Sequence, residues 1–418
     1  MTVQSPTDPI PGAQAEPGPD YDAYGVMAPK HYDAVLLASF GGPEGQDDVL
    51  PFLRNVTRGR GIPDERLEEV ATHYRAHGGV SPINEQNRQL KAALEAELSA
   101  RGIDLPVYWG NRNWSPYIPE TLREIRRDGH RRVLAVTTSA YSSYSSCRQY
   151  REDFGVALRE TGLEDELAVD KLRQYFDHPG FVRSFLPSLS EALREMVAAV
   201  GAEKTHVFFA THSIPDADAA AAGPRPLAEA LREQTGAEPG EQNGSDVYSA
   251  QHLAVAELLM AMVEEGSDVG WSLVYQSRSG PPSVPWLEPD ISDAMEQKVT
   301  DDGVEAAVVV PLGFVSDHME VIWDLDTEAA ETAEELGIRF VRTDTPGTHR
   351  DFVAGLVDMV SERLAQLDER PERAGMTDLG PWFDVCRPNC CAKVMRDGTV
   401  KPTTSAVDAE VTPPESLR

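Results

Sequence analysis

Eight short runs of apolar, β-branched residues recur along the chain, separated by stretches in which apolar positions return every three or four residues. The first four are DAVLLASF (33–40), LPVYWGNR (105–112), RRVLAVTT (131–138) and LAVDKLRQY (167–175). The second four are THVFFAT (205–211), WSLVYQSR (271–278), EAAVVVPLG (305–313) and GIRFVRTD (337–344). Runs this apolar, alternating with helical periodicity, predict parallel strands covered by helices on both faces. Their punctuation repeats too. The first run of each set ends in SFGGP and THSIP, and the fourth leads into FDHPGFV and TDTPGTHRDFV. A repeat of this length fits an internal duplication.

The predicted fold class is therefore α/β, with two similar Rossmann-like domains, each a four-stranded parallel sheet flanked by helices. The boundaries read as 31–175 for the first domain and 176–392 for the second. The Pro-rich residues 1–30 read as a disordered extension and 393–418 as a disordered tail. Residues 216–247, rich in Ala, Gly and Pro, read as a surface excursion of low functional weight. Ligands of doubly wound folds bind beyond the carboxyl ends of the strands, so the chemistry belongs in the loops that follow them.

Composition narrows the partners. A formal net charge of −31 argues against nucleic acid and anionic membranes. No run of 18 apolar residues marks a membrane anchor, and the N-terminus lacks the pattern of a secretory signal, so a cytoplasmic setting is expected. Against this acidic background FLRNVTRGRGIP (52–63) carries Arg54, Arg58 and Arg60 without an acid, a patch suited to a carboxylate ligand. No GxGxxG or Walker sequence follows any strand, so nothing points to a nucleotide.

The strand ends carry the candidate chemistry. His212 follows the fifth run directly, and an imidazole there can take protons or bind a metal near neutral pH. In GFVSDHMEVIWDLD (313–326), Asp317, Glu320 and Asp324 are spaced three and four apart, which predicts one helical arc of carboxylates able to attract cations and pass protons. His318 beside them reads as a hydrogen-bonding support. The first half offers Ser81 in a rigid Gly-Gly-Val-Ser-Pro turn, and Tyr150 after a segment rich in hydroxyls and tyrosines. Aromatics and hydroxyls at a cleft mouth suit a large, flat, partly polar ligand.

Together LLASFGGPEG, YRAHGGVSPIN, SAYSSYSSC, THSIP, YSAQH, YQSRSGPPSVPWLEPD and PLGFVSDHMEVIWDLD resemble the ferrochelatase family, in family order over roughly 32–392. The resemblance implies an enzyme that inserts Fe²⁺ into a porphyrin held between the domains, in haem biosynthesis. It implies that His212 and Glu320 bind the iron and accept protons, that Asp317 and Asp324 continue an acidic path, and that Ser81 and Tyr150 contact the tetrapyrrole. Some members carry a Tyr near the end of the first strand; the residue here is Phe40. The lip NVTRGRGIPDERLEEVATHY is polar, unlike the apolar lip of membrane-bound members, and favours coproporphyrin III over protoporphyrin IX. A non-catalytic haem- or porphyrin-binding protein of the same fold is the alternative in a different class. Transient contact with other haem-pathway enzymes is a further expectation.

The cysteines remain: Cys386, Cys390 and Cys391 in CRPNCC, and Cys147 far upstream. Disulfides conflict with a reducing compartment, the spacing lacks zinc knuckles, and there is no C-x-x-C. The resemblance implies a [2Fe–2S] cluster on these four residues by count and placement; zinc and free thiols are the alternatives.

Overall fold

The computed structural model describes residues 17–59, 61–279, 283–393 and 398–417. All eight expected strands form: β1 Ala34–Ser39, β2 Val107–Asn111, β3 Arg132–Thr137, β4 Ala168–Lys171, β5 Thr205–His212, β6 Gly270–Gln276, β7 Ala306–Val310 and β8 Arg339–Arg342. They pair in parallel as two sheets of order β2-β1-β3-β4 and β6-β5-β7-β8. The two orders are the same order, as a duplication requires. β4 is shorter than its apolar run, because the chain leaves the sheet after Lys171 and the rest of the run packs as a connection.

Strand alternation decides what each face buries. Val35 and Leu37 point into a core shared by both halves, while Ala34, Leu36 and Ala38 point to a separate outer layer. The shared core is filled by the helices Pro179–Val200 and Arg350–Arg363, whose Phe181, Phe185, Phe352 and Leu356 are all buried. The two sheets are thus fastened by one continuous apolar interior, which holds their strand ends in a fixed relation.

Three expectations about the periphery are corrected. Residues 398–417 are packed: Val411 joins the outer core of the first sheet, Cys386 bridges Ala406, and Arg132 donates to the Ser416 and Leu417 carbonyls. Gly155 makes this possible, since a Cβ there would meet the Pro402 carbonyl oxygen at 2.4 Å. The expected N-terminal extension is docked from residue 17 onward. Met27 N–H donates to Asp384, Lys30 N–H donates to the Arg363 carbonyl, and the Lys30 ammonium pairs with Asp170. Residues 1–16 lie outside the described residues. Finally, 216–247 is no idle excursion: its Ala221 and Gly223 are bonded to Cys391, as described below.

Candidate active site

β5 ends in His212, and the loop after β7 leads into a helix that starts at Met319 and is π-wound over Ile322–Ala329. Parallel neighbours bring these two ends together. His212 Nε2 lies 3.6 Å from Glu320 Oε2, with the side chains 35% and 48% exposed. The Nδ1–H of His212 donates to the Ser213 carbonyl at 2.5 Å, which leaves the Nε2 lone pair facing Glu320. His318 caps the helix by accepting from Val321 N–H on Nδ1, so its Nε2–H points toward Glu320 at 3.9 Å. Burial holds the His318 pKa down, with Glu320 opposing, so His318 acts as a neutral donor.

Asp324 follows Glu320 by four residues and is partly buried. Burial pushes its carboxyl up to about 7, the Ser277 hydroxyl bond pulls it back, and Glu320, Glu328 and Asp290 push it further. Gln276 spans the pair, donating to the Glu320 carbonyl and to Asp324 Oδ2, each at 3.2 Å. Ser277, which also donates to Asp324, sits at φ +62°, a left-handed conformation unusual for a residue with a Cβ. Asp317 leaves the expected arc. It precedes the helix, is paired with Arg342 at 3.2 Å, and accepts from Thr345 Oγ1 at 3.1 Å. The carboxylate row is therefore Glu320, Asp324 and Glu328, with Asp317 neutralised beside it.

The first half faces this row with an apolar wall. Phe52, Leu67, Ala71 and Tyr74 of the lip helices Val49–Val56 and Asp64–Ala76 pack in one buried cluster with Met319. Phe40 and Trp114 stand edge-on to Phe52 at 6.3 and 6.1 Å. The lip is polar only on its outside. Arg54 pairs there with Asp64, just past the stretch that carries no acid, while Arg58 is exposed and Arg60 lies outside the described residues. Ser81 is buried where its N–H donates to the Pro43 carbonyl at 2.9 Å. Tyr150 is only 3% exposed, its ring 4.8 Å beneath the Arg112 guanidinium. Arg112, itself paired with Asp153, lies between Tyr150 and Phe40.

Three neighbours escaped the sequence reading. The Tyr74 phenol is held high by burial and by Glu320 and Asp324. His73 stacks on Trp323 at 3.9 Å, tying the lip to the π-wound helix. Arg112 is the third. Each lies inside a motif quoted above, but only the fold shows which way it points.

The sequence model of the ferrochelatase family matches residues 32–364. The chain belongs to the ferrochelatase family. The expectation of a chelatase, and hence of an enzyme that takes Fe²⁺ as substrate, stands. The coproporphyrin III ferrochelatase of Leifsonia xyli subsp. xyli is 60% identical over 373 residues, covering 88% of this chain and 93% of that protein. The coproporphyrin III ferrochelatase of Tropheryma whipplei (strain Twist) is 52% identical over 370 residues, with 88% and 90% covered. Among solved structures, SirB from Bacillus subtilis with Fe³⁺ aligns at TM-score 0.44 and 12% identity, over 80% of this chain and 96% of that one. No helix among the described residues is long and apolar enough to cross a membrane.

In this ferrochelatase-family chain the four cysteines meet. All are buried, and their thiols form a ring: Cys147 contacts Cys386 and Cys391, Cys386 contacts Cys390, and Cys390 Sγ lies 3.9 Å from Cys391 Sγ. Hydrogen bonds from Cys386 and Cys391 draw the Cys147 thiol down, as do Lys171 and Arg151. Gly223 N–H donates to Cys391 Sγ at 3.2 Å, and Cys391 N–H to the Ala221 carbonyl at 3.1 Å. Among the described residues no group of three or more His, Cys, Asp or Glu side chains is placed to hold a single metal ion.

Proposed function

We propose that the protein inserts Fe²⁺ into coproporphyrin III. The observation that carries this is the facing of His212 Nε2 and Glu320 at the strand ends, opposite an apolar wall in which a flat macrocycle can lie. The substrate follows from the relatives named as coproporphyrin III ferrochelatases and from the charged outer lip.

Metallation exchanges two pyrrole N–H protons for one divalent cation, so the site must hold the metal and remove two protons. The His212 Nε2 lone pair and the Glu320 carboxylate suit Fe²⁺ as it sheds water. Asp324, with its carboxyl near 7, can receive protons that Glu320 takes from the ring and release them toward Glu328. Phe40 and Trp114, partly exposed and backed by buried Phe52, supply the apolar face, while Arg112 and Arg58 supply cations for propionates. Ser81 anchors the turn beneath the macrocycle.

The four sulfurs fit a [2Fe–2S] cluster, in which each iron takes two thiolates and no single ion needs three. Cys147, Cys386, Cys390 and Cys391 would hold it, with buried Arg151 and Lys171 offsetting its negative charge. Its chemistry there would be a cross-link between two remote segments, at Cys147 and at 386–391; metal insertion needs no electron. We also assign the domains as 31–175 and 176–392, and the compartment as the cytoplasm.

The test is an anaerobic assay with Fe²⁺ and either coproporphyrin III or protoporphyrin IX. Wild type metallates coproporphyrin III in preference, and Glu320→Ala falls to the no-enzyme rate. Equal slow metallation by wild type, Glu320→Ala and buffer would reduce the protein to a porphyrin binder. Preference for protoporphyrin IX would overturn the substrate alone.

A further inference from the structure

His212 is supported by the sheet on one side only, where it pairs with Gln276 of β6. The ladder between β5 and β7 ends at Phe209–Val310, and beyond it only Gly313 N–H reaches back, to the Ala210 carbonyl. The His212 carbonyl is instead taken by the Tyr248 hydroxyl at 2.9 Å, from the helix Val247–Met262. The same hydroxyl lies 2.7 Å from Thr211 Oγ1, which lies 3.0 Å from His252 Nε2. His252 Nδ1 closes the set on the Tyr248 carbonyl at 2.7 Å. Space is reserved for it: a Cβ at Gly313 would overlap Thr211 Oγ1 at 2.1 Å.

The protons can be counted. A carbonyl only accepts, so His252 carries its proton on Nδ1, and the neutral ring presents a lone pair on Nε2. The Thr211 proton goes to that lone pair. The single Tyr248 proton is then shared between Thr211 Oγ1 and the His212 carbonyl. Burial, which drives the His252 pKa down to about 3, supplies no fourth proton. The His212 backbone is thus held on one side by its pairing with Gln276 and on the other by one shared phenolic proton.

The first half of the molecule grips this set. Tyr141, from the loop after β3, stacks on His252 at 3.5 Å and 15°. Next to it, Ser142 N–H donates to Gln251 Oε1 at 2.8 Å, and Gln251 Nε2 donates to Ser142 Oγ at 3.1 Å. Five of these six side chains are 2% exposed or less, and Tyr248 is 5% exposed.

We propose that Thr211, Tyr248 and His252 are positioning residues for His212, and that Tyr141 and Ser142 of the first half set them across the boundary between the sheets. The inference rests on the reading that His212 serves the metal or its protons.

The experiment uses the full-length protein and steady-state assays with Fe²⁺ and coproporphyrin III over a range of pH. Tyr248→Phe keeps the ring and loses the shared proton; kcat falls about five- to tenfold, the scale of one hydrogen bond. KM for the porphyrin stays put, and the acid limb of the kcat profile shifts. Tyr141→Leu, which cannot stack, gives the same pattern, whereas Tyr141→Phe restores wild-type kcat. Variants that melt lower but keep wild-type kcat and pH profile at low temperature overturn the inference and leave only a packing role. If Tyr248→Phe fails to fold, the contrast between Tyr141→Leu and Tyr141→Phe decides alone. Should His212→Ala retain full activity, the underlying reading fails whatever Tyr248 does.

Discussion

The two halves share a strand order and differ in what they place at the strand ends. After the first strand of each sheet, Phe40 holds the position that His212 holds in the second. After the third strand each half makes a π-wound turn, Tyr144–Arg148 in one and Ile322–Ala329 in the other. The first turn carries Cys147 and the second carries Asp324. One scaffold thus carries an apolar wall and one thiol of the cysteine ring, and its copy a row of carboxylates beside an imidazole. The sheets set where a side chain stands; what it does depends on the residue and on what faces it.

The largest way to break this comparison is His212→Ala. It leaves the wall intact and removes the only imidazole facing Glu320 from β5; iron insertion should fall at least about a thousandfold, as for loss of a principal catalytic group. Retained porphyrin binding, read by fluorescence quenching, separates lost chemistry from lost fold.

Asp324→Asn comes next. Activity should drop by about ten- to a hundredfold, the usual share of a positioned acid or base. The same variant alters stability with a definite sign. A carboxyl whose pKa is raised on folding contributes stability below its unfolded value of 3.8, and that contribution is lost as pH rises through 7. Asp324→Asn should therefore flatten the decline in Tm between pH 4 and pH 8. Its gain above pH 7 is on the order of 2 kcal/mol, discounted for the residue's partial exposure. An unchanged slope would place the titrating group elsewhere.

Cys391→Ser probes the thiol side. The purified variant should lack visible absorption bands and lose stability on the order of a few kcal/mol, while the fraction still folded keeps most of its turnover. Bands of full intensity would remove Cys391 from the ligand set.

The smallest expected effect is the sharpest test of the duplication. Phe40→His puts an imidazole at the counterpart of His212, but beside Phe52 and the Arg112 guanidinium rather than opposite a carboxylate such as Glu320. In the His212→Ala background it should rescue less than about threefold, a difference well under 1.4 kcal/mol. A larger rescue would show that strand-end position alone suffices.

The sequence carried the strands because each is an apolar run bounded by turn residues, and such runs leave few choices. That His212 and Glu320 share a sheet edge was legible for the same reason, since both follow strands of one parallel set, whereas their pairing came from the family resemblance. Asp317 stands off the expected arc because spacing predicts an arc only where a helix exists, and the helix starts at Met319. The tail and the 216–247 segment were undervalued because what fixes them is remote: Gly155 opening a path for Pro402, and Cys391 bonding Ala221 and Gly223. No local pattern announces a partner 168 positions away. Neither π turn was visible, because helical periodicity is read in averages and one widened turn barely moves them.

Those two turns bear on how the protein can change. A π turn is an α-helix that has taken in an extra residue, so removing one residue lets the turn relax to α and leaves the flanking segments in register. A deletion between Glu320 and Asp324 would shorten their separation from four residues to three, and one between Tyr144 and Cys147 would draw the thiol one place back along its turn. Both sites thus depend on the residue count inside the turn as well as on residue identity, while the rest of each helix would be spared.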